Sequence, residues 1–147
     1  MSTWIARVVL LAVLPISPLW AQSTKAPAAP RSVSPDSVSY RVVETWSIPN
    51  GGFGRAIVVP ARMRNEASLR ALGLRLRADT KADRNAFIFV FDSERAAGVR
   101  RAVVNGRASD ADLAVYDKHF IAVYNRNANT GFHEMAITLR GCKSITD

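Results

Sequence analysis

The chain has few residues that could form covalent cross-links or metal sites. Its 147 residues include one cysteine, Cys142, and two histidines, His119 and His133. A single thiol cannot close an intramolecular disulfide, so the fold does not depend on such bridges. Paired-cysteine zinc motifs, the H-E-x-x-H motif and the G-x-S-x-G nucleophile elbow are all missing from the sequence. We therefore expect no metal and no cofactor.

Acidic residues are outnumbered. Twelve Asp and Glu stand against 20 Lys and Arg, which leaves a formal net charge of +8. Only four of the basic residues are lysines, namely Lys25, Lys81, Lys118 and Lys143. Arginine forms bidentate contacts with carboxylates and phosphates, so one interpretation is a surface for an anionic partner. An ordinary solvated surface is the other, because the charges are spread along the chain rather than clustered.

The N-terminal segment has the layout of a secretory signal peptide. Arg7 precedes an apolar run from Val8 to Ile16, and residues 1–21 end in Leu-Trp-Ala. A membrane-spanning helix needs about 20 apolar residues, and this run is shorter and interrupted by proline. The sequence predicts cleavage after Ala21, with residues 28–29 as the alternative site. The mature chain is then periplasmic or secreted and has no transmembrane segment.

The rest of the chain divides into three segments. Residues 22–37 are rich in Pro, Ala and Ser and cannot bury enough apolar surface to become ordered, which predicts a disordered linker. A single globular domain is predicted at 38–141, because a folded segment of about 100 residues has the size of one domain. Residues 142–147 form the predicted tail.

The predicted domain mixes strand and helix patterns. Segments rich in β-branched and aromatic residues predict five strands, at 38–48, 55–59, 86–91, 119–124 and 132–139. Leucines at i, i+3 and i+7 predict a helix over 66–78, followed by a second helix over 94–104 and a short turn of helix at 111–116. The expected fold is α+β, with a mainly antiparallel sheet of about five strands and two helices packed on one face.

A glycine-rich turn is the predicted binding tip. Gly51 and Gly52 follow Asn50 and lead into a strand, whereas a phosphate-binding loop would lead into a helix. The segment is therefore predicted to be a hairpin turn. An exposed Phe53 next to Arg55 would complete a small recognition tip.

His119 is the candidate catalytic residue. Strand pairing around the loop at 125–131 would separate His119 from His133 by about 14 Å, too far for a shared metal ion. With Asp117 and Arg126 nearby, His119 could form an acid–base group for an anionic substrate. Asp92 or Ser93, at the end of the strand 86–91, is expected to cap the second helix.

Five short matches carry a family resemblance. They are Ile48-Pro49 closing a strand, the strand Arg55 to Val59, the leucine-rich helix Leu69 to Leu76, His119-Phe120, and the closing Gly141. On these residues the run from Tyr40 to Gly141 resembles small bacterial and phage α+β domains of unknown function. The resemblance implies a fold and no activity.

Taken together, these features favour a small exported, non-enzymatic binding or interaction module with an arginine-rich basic surface. Its partner would be a protein or an anionic ligand of the cell envelope. The alternative is a small secreted hydrolase that acts on an anionic substrate. Specific nucleic-acid binding is not expected, because Phe87, Phe89 and Phe91 alternate like a base-stacking platform but have apolar neighbours, which favours core packing.

Overall fold

The computed structural model describes residues 38–49 and 51–139, and the backbone of residues 143–145. Several predicted features lie outside the described residues: the signal peptide 1–21, the linker 22–37, Asn50, Gly141 and Cys142.

The described part of the chain contains six strands and three α-helices. In chain order these are β1 (Arg41–Ser47), β2 (Phe53–Val58), α1 (Glu66–Asp79), β3 (Asn85–Phe91), α2 (Glu94–Val104), α3 (Asp110–His119), β4 (Phe120–Asn127), β5 (Phe132–Ile137) and β6 (Lys143–Ile145). The strands form one sheet in the order β1-β2-β3-β4-β5-β6. β2 and β3 are parallel and are connected through α1, whereas the other neighbouring pairs are antiparallel. The α+β class and the mainly antiparallel sheet are therefore confirmed.

Helix α1 forms where its sequence supplies both a cap and an apolar stripe. The Asn65 side chain accepts a hydrogen bond of 2.9 Å from the Ser68 N–H, which satisfies one of the free donors at the helix start. Leu69, Leu72 and Leu76 are fully buried against one face of the sheet, together with Ile57, Val59, Ile88, Val90, Ile121 and Tyr124. The predicted leucine stripe is thus the inner face of α1.

The packing of both predicted helices on one face is not confirmed, because α1 and α2 cover opposite faces. α2 and α3 pack over a second cluster built on Ala56, Phe91, Ala96, Ala97 and Tyr116. The reason lies in β3, whose side chains alternate between Phe87, Phe89 and Phe91 and the smaller Ala86, Ile88 and Val90. A strand that is apolar on both faces needs cover on both.

Helix α3 is longer than the predicted turn at 111–116. It spans ten residues and begins at the N-cap Ser109, whose hydroxyl accepts from the Asp112 N–H at 3.2 Å. The ring of Tyr116 lies 5.4 Å from the rings of both Phe91 and Phe120. Tertiary aromatic contacts, rather than helical periodicity, therefore account for the position of α3.

The β4–β5 hairpin has a shorter turn than the sequence predicts. The asparagine-rich segment 125–131 predicts a loop, but β4 extends to Asn127, which pairs with Phe132. The turn is confined to residues 128–131, where Gly131 adopts a φ of 70°. In this register Arg126 lies opposite His133, and Tyr124 lies opposite Met135.

Residues 143–145, which belong to the predicted tail, form β6 and pair with β5 at the edge of the sheet. Across the described residues, no helix has both the length and the apolar character needed to cross a membrane.

Candidate functional site

The structure does not bring His119, Asp117 and Arg126 together. Asp117 lies two residues before His119 in α3, about 200° around the helix, and is exposed. Arg126 lies near the far end of β4, about 20 Å from its start at the strand rise. There its guanidinium donates to the backbone carbonyls of Lys81 and Asp83, at 3.2 and 3.4 Å. The predicted acid–base group is therefore not assembled from these three residues.

His119 instead contacts Asp92. Its Nδ1 lies 2.7 Å from Oδ1 of Asp92, whose Oδ2 accepts a hydrogen bond of 3.0 Å from Nη1 of Arg64. The Asp92 side chain is 5% exposed and the His119 side chain is 29% exposed. The N-cap of α2 is Ser93 rather than Asp92, and the Ser93 side chain forms no capping hydrogen bond. When Nδ1 carries the proton and donates to Asp92, Nε2 is free to accept one.

The predicted recognition tip is held against the body of the domain. Gly51 has a φ of 74°, and its carbonyl accepts a hydrogen bond of 3.1 Å from the Asn85 side chain. A Cβ on Gly52 would lie 2.5 Å from the Asn85 carbonyl oxygen, so this turn sits directly on β3. Phe53 is half-buried against the core beneath α1, and the Arg55 guanidinium lies 3.8 Å from the centre of its ring. Phe53 is therefore not the exposed tip that the sequence suggests.

A basic groove follows the side of α1 where the helix crosses β4 and β5. Its first cavity, of about 170 Å³, is lined by Arg70, Gly73, Leu74, Arg77, Tyr124, His133 and Met135. Its second cavity, of about 430 Å³, is lined by Leu74, Arg77, Ala78, Lys81 and Arg126. Because Leu74 and Arg77 line both, the two cavities are parts of one groove, which we call the α1 groove.

The groove follows from the spacing of α1 and the register of the β4–β5 hairpin. Arg70, Leu74 and Arg77 are spaced i, i+4 and i+7, so they share one side of the helix. Arg126 and His133 are cross-strand partners, and they lie two residues from Tyr124 and Met135, so both are on the face of the sheet that α1 covers. A Cβ on Gly73 would lie 3.2 Å from Cβ of Met135, so glycine allows α1 to approach β5 closely.

The side chains that line the α1 groove carry a net positive charge. Arg70 is paired with Glu66 one turn away, with Nη2 and Oε1 2.8 Å apart. Within the described part of the chain, the Arg77 guanidinium and the Lys81 ammonium form no ion pair or hydrogen bond. Among the described residues, the Arg126 guanidinium hydrogen-bonds to backbone carbonyls alone, which leave its charge uncompensated. At least three cations of the groove therefore have no carboxylate partner in the part of the chain that the structure describes, which suits an anionic ligand.

A metal centre has no support in the described side chains, which contain no group of three His, Cys, Asp or Glu that could hold an ion. No protein-family model matches the chain, and no curated protein or solved structure is significantly similar to it.

The α1 groove is not among the sites that the sequence predicts, because its basic residues are spread along the chain. The i, i+4, i+7 spacing of Arg70, Leu74 and Arg77 is a visible signal. The contribution of Arg126 and His133 is not visible without the hairpin register.

Proposed function

We propose that this chain is an exported, non-enzymatic binding module that captures an anionic ligand in the α1 groove. One observation carries the proposal: Arg77, Lys81 and Arg126 come from three different segments and converge on one groove without a carboxylate partner among the described residues. Placing like charges together disfavours the folded state by repulsion. An anion bound between them removes that repulsion and gains charge-assisted hydrogen bonds.

A matched pair of double variants tests this proposal. Inorganic tripolyphosphate is the probe, and isothermal titration calorimetry at constant ionic strength measures its affinity. We expect Arg77→Gln/Lys81→Gln to weaken binding at least tenfold, since hydrogen bonds to charged groups contribute about 1.5–3 kcal/mol each. The control Arg95→Gln/Lys118→Gln removes the same net charge from exposed sites on α2 and α3 and should bind like the original chain. Equal weakening in both variants would show that only net charge matters, and the α1 groove would then not be the site.

The location that we propose is periplasmic or secreted, and its support is the layout of residues 1–21. Mass spectrometry of the chain recovered from the periplasm or medium of an expressing bacterium should show Gln22 as the first residue. Leu11→Arg places a charge in the apolar run, and we expect it to leave the unprocessed chain in the cytoplasm. Export of this variant at the normal level would contradict the proposal.

The contact between Asp92 and His119 favours a second candidate function, hydrolysis of an anionic substrate. Asp92 would orient the imidazole, and Nε2 would act as the general base. Release of nitrophenolate from p-nitrophenyl phosphate tests it, with His119→Gln as the variant and Lys118→Gln, an exposed neighbour on α3, as the control. A rate that survives His119→Gln, or no rate above buffer in the original chain, excludes this activity for His119.

A further inference from the structure

The hydroxyl of Tyr124 stands out among the described side chains. It is buried, and it is the one buried side-chain polar atom in that part of the chain without a hydrogen-bond partner. Tyr124 as a whole is 1% exposed. Roughly nine in ten buried polar groups have a partner, because leaving one unpaired is unfavourable. Phenylalanine would fill the same space without this penalty, so the hydroxyl needs an explanation.

The surroundings of Tyr124 supply one. It lines the first cavity of the α1 groove, beside Arg70, Arg77 and His133. The cavity thus brings together a tyrosine from β4, two arginines from α1 and a histidine from β5. All of these can act as hydrogen-bond donors, and two of them carry a permanent positive charge.

Donors on three elements favour one class of anion. A phosphoryl group has three terminal oxygens in a tetrahedral arrangement and can accept hydrogen bonds from several directions at once. A carboxylate has only two oxygens, which lie in one plane. Guanidinium groups also match phosphate oxygens with two parallel hydrogen bonds. The first cavity is therefore better suited to a phosphoryl group than to a carboxylate.

The remaining lining indicates what the phosphoryl group is attached to. Leu74 and Met135 add apolar surface to the same cavity, and Leu74 is 45% exposed. The volume of about 170 Å³ is several times the roughly 30 Å³ that one water molecule occupies in the liquid. A bare ion would leave part of this space unfilled, whereas an apolar substituent would cover Leu74 and Met135.

We propose that the first cavity of the α1 groove binds a phosphate monoester. Its phosphoryl group pairs with Arg70 and Arg77 and, once the exposed side chains of the cavity move aside, accepts a hydrogen bond from the Tyr124 hydroxyl, whose oxygen has less than 1 Å² of accessible surface in the free protein. Its apolar substituent covers Leu74 and Met135. This inference rests on the proposed function, because it names the ligand class of the same groove. The monoester is either a small soluble molecule or a lipid headgroup, since both present the same chemistry to the cavity.

Calorimetry with phenyl phosphate and benzoate tests the proposal at constant pH and ionic strength. We expect the original chain to bind phenyl phosphate at least tenfold more tightly than benzoate. Tyr124→Phe should weaken phenyl phosphate binding about tenfold, because the hydroxyl that donates to the phosphoryl group is lost. Benzoate should bind nearly unchanged, because a carboxylate has no third oxygen to accept that hydrogen bond. The control is Tyr116→Phe, which alters a tyrosine on the opposite face of the sheet and should leave both affinities unchanged.

The outcomes separate this inference from the proposed function. If Arg77→Gln/Lys81→Gln weakens tripolyphosphate binding but Tyr124→Phe binds phenyl phosphate normally, the phosphate monoester is overturned and the anion-binding module stands. If the original chain binds neither probe, both fail. Benzoate binding as tight as that of phenyl phosphate also overturns the monoester.

Two further measurements complete the test. Thermal unfolding should show Tyr124→Phe to be at least as stable as the original chain, because the unpaired hydroxyl is gone. If that variant does not fold, Arg70→Gln provides the comparison at an exposed residue of the same cavity, with weaker phenyl phosphate binding expected. Sedimentation with vesicles of phosphatidylcholine, with and without phosphatidic acid, separates the sources. Capture that needs phosphatidic acid and the Tyr124 hydroxyl assigns a lipid, and phenyl phosphate binding without capture assigns a soluble ester.

Discussion

The Nδ1 of His119 lies 2.7 Å from Oδ1 of Asp92, and this contact joins the end of α3 to the end of β3. The same carboxylate also accepts a hydrogen bond from Arg64, and its side chain is 5% exposed. Asparagine has nearly the same shape as aspartate but lacks the negative charge that His119 and Arg64 contact. We therefore expect Asp92→Asn to lower the free energy of unfolding by about 1–3 kcal/mol, measured by urea denaturation followed by circular dichroism.

Asp117→Asn is the matched control for that prediction. Asp117 belongs to the same helix as His119 but is exposed, and exposed substitutions usually change stability by less than about 0.5 kcal/mol. A similar loss in the two variants would mean that the network around Asp92 contributes nothing beyond surface charge.

Gly54 is predicted to be intolerant of any side chain. A Cβ at this position would lie 2.0 Å from Cε2 of Trp46, its cross-strand partner. We expect Gly54→Ala to displace the indole and to lower the free energy of unfolding by about 1–3 kcal/mol. Gly98→Ala is the control, because apart from its chain neighbours and its own helix backbone no atom lies within 4 Å of the added Cβ, and alanine in a helix interior is favoured by about 0.5–1 kcal/mol. Urea denaturation of both variants should therefore give changes of opposite sign, and a loss in both would contradict the steric argument.

The local elements of the fold could be predicted because their signals are local. The leucine stripe of α1, its Asn65 cap and the apolar run of β3 each specify an element within a few residues. Which face of the sheet each helix covers is a nonlocal property. The aromatic residues of β3 already indicate that both of its faces need cover, but they do not say which helix covers which face.

The candidate site was predicted less well, for the same physical reason. His119 was identified, but Asp92 lies 27 positions away and meets it only through the pairing of β3 with β4. Arg126 was also identified, but the sequence predicted that it acts with His119 and Asp117. The register of the hairpin places it opposite His133 rather than near His119.

Tyr40 is predicted to make the protein less stable at alkaline pH. Burial raises the pKa of its phenol to about 12, and the hydrogen bond that its hydroxyl donates to Asp79, together with the charge of that carboxylate, adds to the effect. The neutral phenol is favoured in the folded state, while the unfolded chain ionises near the ordinary value of about 10. The contribution of Tyr40 is therefore fully present below pH 10 and is lost as the pH rises from 10 to 12.

Melting temperatures of the original chain and Tyr40→Phe between pH 9 and 12, followed by circular dichroism, measure this contribution. The variant has no phenol at position 40 to ionise, so its melting temperature should fall less steeply. Part of the fall should remain, because burial also raises the pKa of Tyr116. Identical slopes for the two proteins would show that the environment of Tyr40 does not couple its ionisation to folding.

Arg100 is predicted to stabilise the fold through its planar guanidinium rather than through its charge. It is 6% exposed, lies 3.6 Å from the centre of the Trp46 ring, and donates from Nε and Nη2 to Oε2 of Glu44, at 3.2 and 2.9 Å. Lysine keeps the charge but can neither stack on the indole as a plane nor form the two-pronged contact. We expect Arg100→Lys to lower the free energy of unfolding by about 1–2 kcal/mol, which urea denaturation will measure. Arg101→Lys is the control, because Arg101 also contacts Glu44, at 3.4 Å, but its side chain is 74% exposed, and such pairs contribute about 0–1 kcal/mol. If both variants lose the same amount, the attachment of α2 to β1 depends on the positive charge near Glu44 and not on the stacked guanidinium.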